Sequence, residues 1–348
     1  MPEPIYRVAV IGCGGRARAH APGFDADKRL KIVALADVKR ESAEAFQTDH
    51  GYTDAAIYTD HRELLTTERP DVAVVTLWTA FHLPVIKDCI EAGVKVILSE
   101  KPVAATWGEC VEIARLAEAS GVVLTFAHQR RFASGNRKVR ELIADGVFGK
   151  IERMDLFSPP HLLDCGTHSV DQAISFNGEA GVTWVHGAVD LTNTVNYFGI
   201  VAEGNFTGTF RFDNGVYATI RTGTHELELW GGVRVVGADG FVEVFWGGDV
   251  KRAVKYSDPS WMFPAVVAAS EHEEMIGLVT NAIDAYESGA EPELSYKKAM
   301  KASEILFAFY ESARTHKRVT LPLTGVTGNP LFELLEETAN EHPLEELH

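Results

Sequence analysis

The sequence predicts an α/β protein with an N-terminal doubly wound parallel sheet and a C-terminal α/β domain built on a mostly antiparallel open sheet. Three observations predict it: strand-like and helix-like segments alternate through the first third, a glycine-rich turn follows the first strand, and β segments separated by Gly, Asn and Asp dominate after residue 151. The expected limits are 1–125 for the first domain, 126–322 for the second and 323–348 for an acidic C-terminal tail.

Alternating apolar and helix-compatible segments define the first domain. Because parallel strands need a crossover connection, a β-α-β rhythm indicates a parallel sheet. The sequence predicts strands at 5–11, 30–36, 71–77, 94–99 and 122–126, and helices at 40–49, 83–92 and 107–120.

The second domain has hairpin signals instead. Asn214-Gly215 lies between alternating segments at 207–212 and 216–221, and this dipeptide favours a tight hairpin turn. The tail from Gly325 is either a frayed terminus or an arm that docks on a partner subunit. Further strands are predicted at 227–236, 241–246 and 319–321, and further helices at 271–288 and 296–316.

The glycine-rich turn after the first strand has the Gly-x-Gly-x-x-Ala pattern of a dinucleotide-binding Rossmann domain. Gly12 permits the tight turn, Gly14 lets the backbone approach a pyrophosphate, and Ala17 allows close helix-strand packing. Gly15 and Arg16 lie in the same turn, where the helix N-terminus faces the phosphates. We therefore predict that this turn binds the cofactor.

Asp37 ends the second strand, at the position expected to bond ribose hydroxyls. A carboxylate ~4 Å from a 2′-phosphate would cost about 4 kcal/mol per unit charge at an effective dielectric near 20. The sequence therefore favours NAD over NADP. Lys39 and Arg40 follow at once and could neutralise a phosphate, so NADP is retained as the less favoured cofactor.

Composition indicates a soluble globular protein, with 46% hydrophobic and 24% charged residues. No segment approaches the ~18 consecutive apolar residues of a membrane helix, and no secretory pattern opens the chain, so we expect no membrane contact and a cytoplasmic location. The formal net charge of −16 opposes binding to nucleic acid. The four cysteines lack metal-site or redox spacing and are expected to be reduced thiols.

Glu100-Lys101-Pro102 follows the predicted strand at 94–99. Ligands of open parallel sheets bind at this carboxyl edge. Taken alone, the tripeptide leaves two interpretations open: Lys101 is a salt-bridge partner of Glu100, or it is a group placed to meet a substrate.

Asp164 and His168 form a second candidate pair. A helix that begins near Cys165 would put both on one face at i and i+4, where the carboxylate fixes the imidazole tautomer and raises its basicity for a general base. The alternative is an aspartate that caps a helix whose histidine packs against the sheet. His161 could complete a metal set, but no fourth ligand is evident nearby, so no metal is expected.

With these motifs, the chain resembles the Gfo/Idh/MocA family of NAD(P)-dependent oxidoreductases over residues 5 to 322. The resemblance rests on the order and spacing of the glycine-rich turn and four further motifs, namely Glu100-Lys101-Pro102, Gln129-Arg130-Arg131-Phe132, Phe148-Gly149-Lys150-Ile151 and Asp164-x-x-x-His168. It implies a Rossmann domain joined to an open-sheet α/β domain, with the nicotinamide bound between them, and assembly into a homodimer or homotetramer through the open face of the second sheet.

The resemblance also implies roles for individual residues. Lys101 matches the lysine that contacts the reacting hydroxyl, His168 the proton acceptor, and Asp164 the residue that binds or orients them. The remaining matches lie near the cofactor: Glu100 and Pro102 by the nicotinamide ribose with a Lys101-Pro102 bond that is often cis in the family, Thr76, Trp78 and His82 in the adjacent loop, and Gln129 where the family often has Asn.

Two departures from the family pattern are visible. Trp78-Thr79 replaces the usual proline after Thr76, and only about a dozen residues separate Ile151 from Asp164, where many relatives have a longer substrate-covering loop. The implied function is NAD-dependent oxidation of a secondary hydroxyl of a sugar, sugar derivative or cyclic polyol. Two alternatives are an NAD-dependent glycosidase that oxidises its sugar transiently and a non-catalytic cofactor-binding regulator.

Overall fold

The computed structural model describes residues 5–197, 199–223 and 231–341. The helices in these ranges are α1 (Gly15–Ala26), α2 (Arg40–His50), α3 (His61–Glu68), α4 (His82–Glu91), α5 (Trp107–Ser120), α6 (Ser134–Ala144), α7 (Thr167–Phe176), α8 (Glu273–Ser288), α9 (Tyr296–Thr315) and α10 (Pro330–Glu341). The strands are β1 (Tyr6–Ile11), β2 (Leu30–Ala36), β3 (Ala56–Tyr58), β4 (Val72–Val75), β5 (Val96–Ser99), β6 (Val123–Phe126), β7 (Ile151–Phe157), β8 (Val182–Asp190), β9 (Val195–Tyr197), β10 (Ile200–Ala202), β11 (Asn205–Phe212), β12 (Tyr217–Gly223), β13 (Gly232–Gly237), β14 (Gly240–Phe245), β15 (Val250–Lys255) and β16 (Val319–Thr320).

The chain divides into two compact units that are not continuous in sequence. The first holds residues up to 104, 109–132 and 269–299, and the second holds 105–108, 133–268 and the residues from 300 onward. Helix α8 therefore belongs to the first unit although it follows the second sheet along the chain. The domain limits predicted from the sequence remain a proposal.

The first unit contains a six-stranded parallel sheet in the order β3-β2-β1-β4-β5-β6. This confirms the predicted doubly wound Rossmann sheet. The strand order reverses between β1 and β4, and a crevice for a ligand forms at the carboxyl ends of strands on either side of such a point. Ile11 and Val75, the last residues of these two strands, are partners in the sheet and mark the crevice.

Helix α8 packs on α1 within the first unit. A Cβ at Gly23 would lie 2.6 Å from both the Met275 carbonyl oxygen and Val279 Cγ2, so a glycine is needed for this close approach. Val279 and Ile283 are fully buried in the same apolar core as Val8 of β1. The core of the Rossmann unit is thus completed by residues from late in the sequence.

The second unit contains an eight-stranded sheet in the order β15-β14-β13-β7-β12-β11-β8-β16. Only β7 and β12 pair in parallel, so the predicted mostly antiparallel sheet is confirmed. Phe309 of α9 packs on this sheet, with its ring centroid 4.9 Å from that of Phe206 and 5.9 Å from that of Phe210. The opposite face is exposed at alternate positions, such as Tyr217 and Thr219.

Two expectations from the sequence need correction or completion. The strand predicted at 227–236 lies partly outside the described residues, and β13 begins at Gly232. The tail is not frayed over its described part, because α10 buries Leu331 fully and its Glu337 accepts a hydrogen bond from Arg314 of α9 at 2.9 Å. Among the described helices, none combines the length and apolar character needed to cross a bilayer.

Candidate functional site

The glycine-rich turn between β1 and α1 leaves room for a ligand at its backbone. Gly12 has a φ of 93°, and a Cβ there would lie 2.7 Å from the Thr76 carbonyl oxygen, so only glycine fits. At Gly14 and Gly15, by contrast, no atom from another part of the described chain lies within 4 Å of the position of a Cβ. Because α1 begins at Gly15, its first backbone N–H groups meet this space, which fits a pyrophosphate.

Asp37 lies directly after β2 and is tied to the glycine-rich turn. Its Oδ2 accepts the Cys13 backbone N–H and its Oδ1 the Lys39 backbone N–H, both at 2.9 Å. A carboxylate has about four acceptor positions, so it can also accept hydrogen bonds from ribose hydroxyls. Burial and the nearby charge of Asp37 raise the pKa of the Cys13 thiol to about 12, so this cysteine stays protonated inside the turn.

A cavity of about 810 Å³ opens at the carboxyl ends of β1, β2 and β4. Trp78 and Phe81 stand at its rim and are 58% and 52% exposed, which is unusual for such large apolar side chains. Exposed aromatic rings beside a mostly apolar cavity suit the flat, apolar faces of a nucleobase. Besides Trp78, the lining includes four more residues of the predicted cofactor site, Gly12, Gly14, Asp37 and Thr76.

Thr76 and His82 support this region through backbone contacts. The Thr76 hydroxyl donates to the Gly12 carbonyl oxygen at 2.5 Å, which holds the glycine-rich turn against β4. The buried His82 ring faces carbonyl oxygens on both sides, with Nδ1 3.0 Å from Pro102 and Nε2 3.2 Å from Leu77. Burial lowers the pKa of His82, and the neutral ring carries one N–H, which it can donate to the carbonyl oxygen on one side only.

Glu100 follows β5 and is buried in an ion-paired cluster. Its Oε1 lies 2.6 Å from Nη2 of Arg16 and 2.8 Å from Nε2 of His20, both on α1. Burial alone would raise the pKa of Glu100, but the hydrogen bonds and charges of His20 and Arg16 lower it to about 2. The carboxylate therefore holds Arg16, whose side chain is 44% exposed, at the start of α1.

The residues after Glu100 keep the predicted backbone form. The Lys101-Pro102 peptide bond is cis, as the family resemblance implied. The Lys101 side chain is half-buried in the first unit. Gln129 opens a 3-10 turn (Gln129–Phe132) after β6 and is 3% exposed, and its Oε1 accepts no hydrogen bond from the described residues.

Asp164 and His168 lie in the second unit, where the local structure differs from the prediction. The helical segment does not begin near Cys165: a π-helical turn (Leu162–Gly166) comes first, and α7 follows from Thr167. The expectation of one continuous i, i+4 face is therefore wrong, because a π turn spaces its bonds at i, i+5. Both side chains are nevertheless buried, with exposures of 5% and 6%.

The His168 ring packs near Trp246, with ring centroids 6.0 Å apart and planes tilted by 50°. The indole is itself fixed, since its Nε1 donates to the Ser169 hydroxyl at 2.8 Å and that hydroxyl donates to the Phe157 carbonyl at 2.9 Å. Asn136 adds a hydrogen bond to the Trp246 carbonyl at 2.7 Å. The Trp246 ring is therefore held in place beside His168, the predicted base.

The structure thus gathers the predicted cofactor residues at one edge of the first unit and the predicted base and its aspartate on one short segment of the second. Sequence reasoning missed His20 and Trp246. His20 could have been found from its spacing, because it lies four residues after Arg16 on the same helix. In the described part of the chain, no cluster of three or more His, Cys, Asp or Glu side chains could hold a metal ion.

Comparison with known families shows which family this chain belongs to. Residues 6–128 match the model of an oxidoreductase family with an NAD-binding Rossmann fold, and residues 152–321 match the C-terminal α/β domain of the same family, Gfo/Idh/MocA. The chain belongs to the Gfo/Idh/MocA family. This Gfo/Idh/MocA protein is accordingly an NAD(P)-dependent oxidoreductase, and the NAD-binding Rossmann fold of its family supports the predicted nicotinamide cofactor.

The individual relatives have low sequence identity to this chain. The Gfo/Idh/MocA chain is 27% identical to D-glucoside 3-dehydrogenase of Escherichia coli over 62% of its own length and 69% of the relative's. It is 26% identical to inositol 2-dehydrogenase/D-chiro-inositol 3-dehydrogenase of Shouchella clausii over 51% and 49%. The WlbA dehydrogenase of Bordetella pertussis, solved with NADH and UDP-GlcNAcA, shares the fold at 20% identity and a TM-score of 0.75, covering 93% of this chain and 99% of that one.

Proposed function

We propose that this protein is an NAD-dependent dehydrogenase that oxidises a secondary hydroxyl of a sugar, sugar derivative or cyclic polyol. The observation that carries the proposal is the match to both family domains together with relatives named as dehydrogenases of a glucoside and of inositol. The residues that the family resemblance assigns to this chemistry, Lys101, Asp164 and His168, are all present.

In this proposal NAD, when bound, supplies the hydride acceptor. Oxidation of CH–OH to C=O releases one hydride from the carbon and one proton from the oxygen. His168 takes that proton, and Asp164 orients its ring and stabilises the imidazolium that forms. Lys101 donates a hydrogen bond to the hydroxyl oxygen and favours the alkoxide that develops as the proton leaves.

The residues that we propose bind NAD belong to the first unit. The backbone N–H groups at Gly14 and Gly15 and the guanidinium of Arg16 would bind the pyrophosphate, while Asp37 would bind the adenosine ribose. Trp78 and Phe81 would enclose the adenine. Their exposure and the open space at the two glycines support these roles.

The direct test is an absorbance assay for NADH with a panel of pyranosides, uronic acid derivatives and inositols, at saturating NAD. Accumulation of NADH with a ketonic product, in one-to-one ratio, would support the dehydrogenase. Release of a free sugar without net NADH would instead indicate the glycosidase. Tight NAD binding with no turnover of any substrate would indicate a regulator.

We also propose a homodimer or homotetramer that uses the exposed face of the second sheet. Arg211 lies 5.3 Å over the ring of Tyr217, which in turn packs edge-on against Trp184 at 6.0 Å. Aromatic and arginine side chains are enriched at protein interfaces. Light scattering at micromolar concentration would test this, and a monomer mass would reject it.

A further inference from the structure

Glu203 is a fully buried carboxylate in the second unit, on the short link between β10 and β11. Its Oε1 accepts the backbone N–H of Leu162 at 2.6 Å and the hydroxyl of Thr222 at 3.1 Å. Its Oε2 accepts the hydroxyl of Tyr310 at 2.7 Å. Three donors from three separate segments thus converge on one side chain that the proposed chemistry does not use.

The backbone of Glu203 makes a fourth contact to the same segment. Nδ1 of the buried His161 donates to the Glu203 carbonyl oxygen at 2.8 Å. Glu203 therefore holds two consecutive residues, His161 through its backbone and Leu162 through its side chain. We call these two contacts the Glu203 clamp.

The Glu203 clamp lies at the start of the segment that carries Asp164 and His168. Leu162 is the first residue of the π-helical turn that carries Asp164 and leads directly into α7 with His168. Pro159 and Pro160, which precede His161, have no N–H to donate, and the clamp adds two hydrogen bonds at the entry to the turn. A buried N–H left without its acceptor carries a large penalty, so loss of the carboxylate should loosen this entry.

The protonation of the network is consistent with these roles. Burial raises the pKa of Glu203, and the hydrogen bonds from Tyr310 and the Leu162 backbone oppose the rise. Burial and the adjacent Glu203 raise the pKa of Tyr310 well above its ordinary value. The Tyr310 hydroxyl therefore keeps the proton that it donates.

We propose that Glu203 is a positioning residue, which through the Glu203 clamp fixes the turn that carries Asp164 and leads to His168. The proposal rests on the proposed function, in which these two residues act as the orienting aspartate and the base. In this role Glu203 does not touch the reacting atoms. It acts by setting where the two side chains lie.

The test compares three variants of the full-length protein with a matched control. Glu203→Leu removes both acceptor oxygens at similar volume, Glu203→Gln keeps one acceptor for Leu162, and Tyr310→Phe removes a single hydroxyl. Ser312→Ala is the control. Ser312 lies on α9, the helix that carries Tyr310, and its hydroxyl accepts the backbone N–H of Gly187 outside the clamp.

Amide hydrogen exchange of a peptide covering 158–168 needs no substrate and is measured first. We expect Glu203→Leu to speed exchange there by about tenfold or more, as loss of a buried hydrogen bond implies. Tyr310→Phe should have a smaller effect, and Glu203→Gln and Ser312→Ala should stay near wild type. Unchanged exchange in Glu203→Leu would overturn the clamp, whether or not the enzyme has been given its substrate.

Kinetics with a turned-over hydroxyl substrate complete the test. We expect Glu203→Leu to lower kcat by about tenfold or more with NAD affinity unchanged, and Glu203→Gln to recover most of it, because misplacement of catalytic groups affects the chemical step. Faster exchange with an unchanged kcat would overturn the positioning role. A wild-type protein that oxidises nothing in the panel would instead contradict the proposed function, and the exchange result would still support or overturn the clamp.

Discussion

The guanidinium of Arg16 lies 2.6 Å from the carboxylate of Glu100, which joins the first turn of α1 to the residue that precedes Lys101. One buried anion thus fixes two parts of the first unit that serve different proposed tasks, phosphate binding and contact with the substrate hydroxyl. The pair is supported by His20, which contacts the same carboxylate oxygen from the next turn of α1.

This cluster predicts a pH-dependent contribution to stability. The pKa of Glu100 falls from its ordinary 4.5 to about 2 in the folded protein. The ionised carboxylate therefore stabilises the fold above about pH 4.5, and this stabilisation is lost as the pH falls towards 2. A shift of this size corresponds to about 3 kcal/mol.

Glu100→Gln should accordingly lower the free energy of unfolding at pH 7, and the difference from wild type should shrink as the pH falls below 4.5. Urea unfolding from pH 7 to pH 3 measures it. Glu112→Gln, which breaks the exposed pair with Arg115, is the control and should change little. A difference that stayed constant with pH would contradict the ionised pair.

Two glycines of the same turn should respond differently to alanine. Gly12→Ala forces a side chain into a positive φ and against the Thr76 carbonyl, so we expect a lower melting temperature. Gly14→Ala meets no atom from another part of the described chain within 4 Å and should fold like wild type. It should nevertheless weaken NAD binding by about tenfold or more, because its methyl group occupies the space for the pyrophosphate.

Thermal unfolding and NAD titration of the two glycine variants separate these effects. If Gly14→Ala bound NAD as tightly as wild type, the pyrophosphate would have to lie elsewhere.

Asp37 should control the preference between NAD and NADP. Its carboxylate would repel a 2′-phosphate. Asp37→Ala should therefore lower the ratio of the NADP dissociation constant to the NAD dissociation constant by about tenfold or more. Asp54→Ala, an exposed acid on the same unit, is the control for a general change in charge. Fluorescence titration with both cofactors measures the ratio, and an unchanged ratio would show that Lys39 and other neighbours set the preference.

Much of the fold could be predicted because local pattern and tertiary structure agree. Strand β2 and helix α5 have the predicted bounds, since each is a complete periodic segment ended by turn residues. The glycine-rich turn was equally readable, because only glycine tolerates the conformation at position 12. Helix α3 was not predicted, although Asp60 caps it by accepting the Arg62 N–H at 2.9 Å, because the helix is short.

The parts that could not be predicted depend on distant residues. The π-helical turn at Asp164 has no local signature, and its entry is held by Glu203, 41 positions away from Leu162. The return of α8 to the first unit likewise rests on the contact of Gly23 with Met275 and Val279. The sequence of one chain does not show which residues that lie far apart along it come into contact in the fold.

In the proposed mechanism, His168 is the base and Lys101 is the cation directed at the substrate hydroxyl. His168→Ala and Lys101→Ala should each lower the rate by about 10² to 10⁴-fold, the usual cost of losing a general base, with NAD affinity nearly unchanged. Asp164→Asn should weaken activity less, because it keeps the shape of the site. In the wild type the rate should rise with pH as the imidazole becomes free to accept a proton, and this rise should be absent in His168→Ala.

Single-turnover formation of NADH, followed by absorbance on an identified sugar or polyol across a range of pH, measures this most directly. We expect His168→Ala to lose most of the rate and the pH dependence of the rate. Near wild-type rates in His168→Ala at every pH would contradict it, and the base would then be another group, with Lys101 as the first candidate.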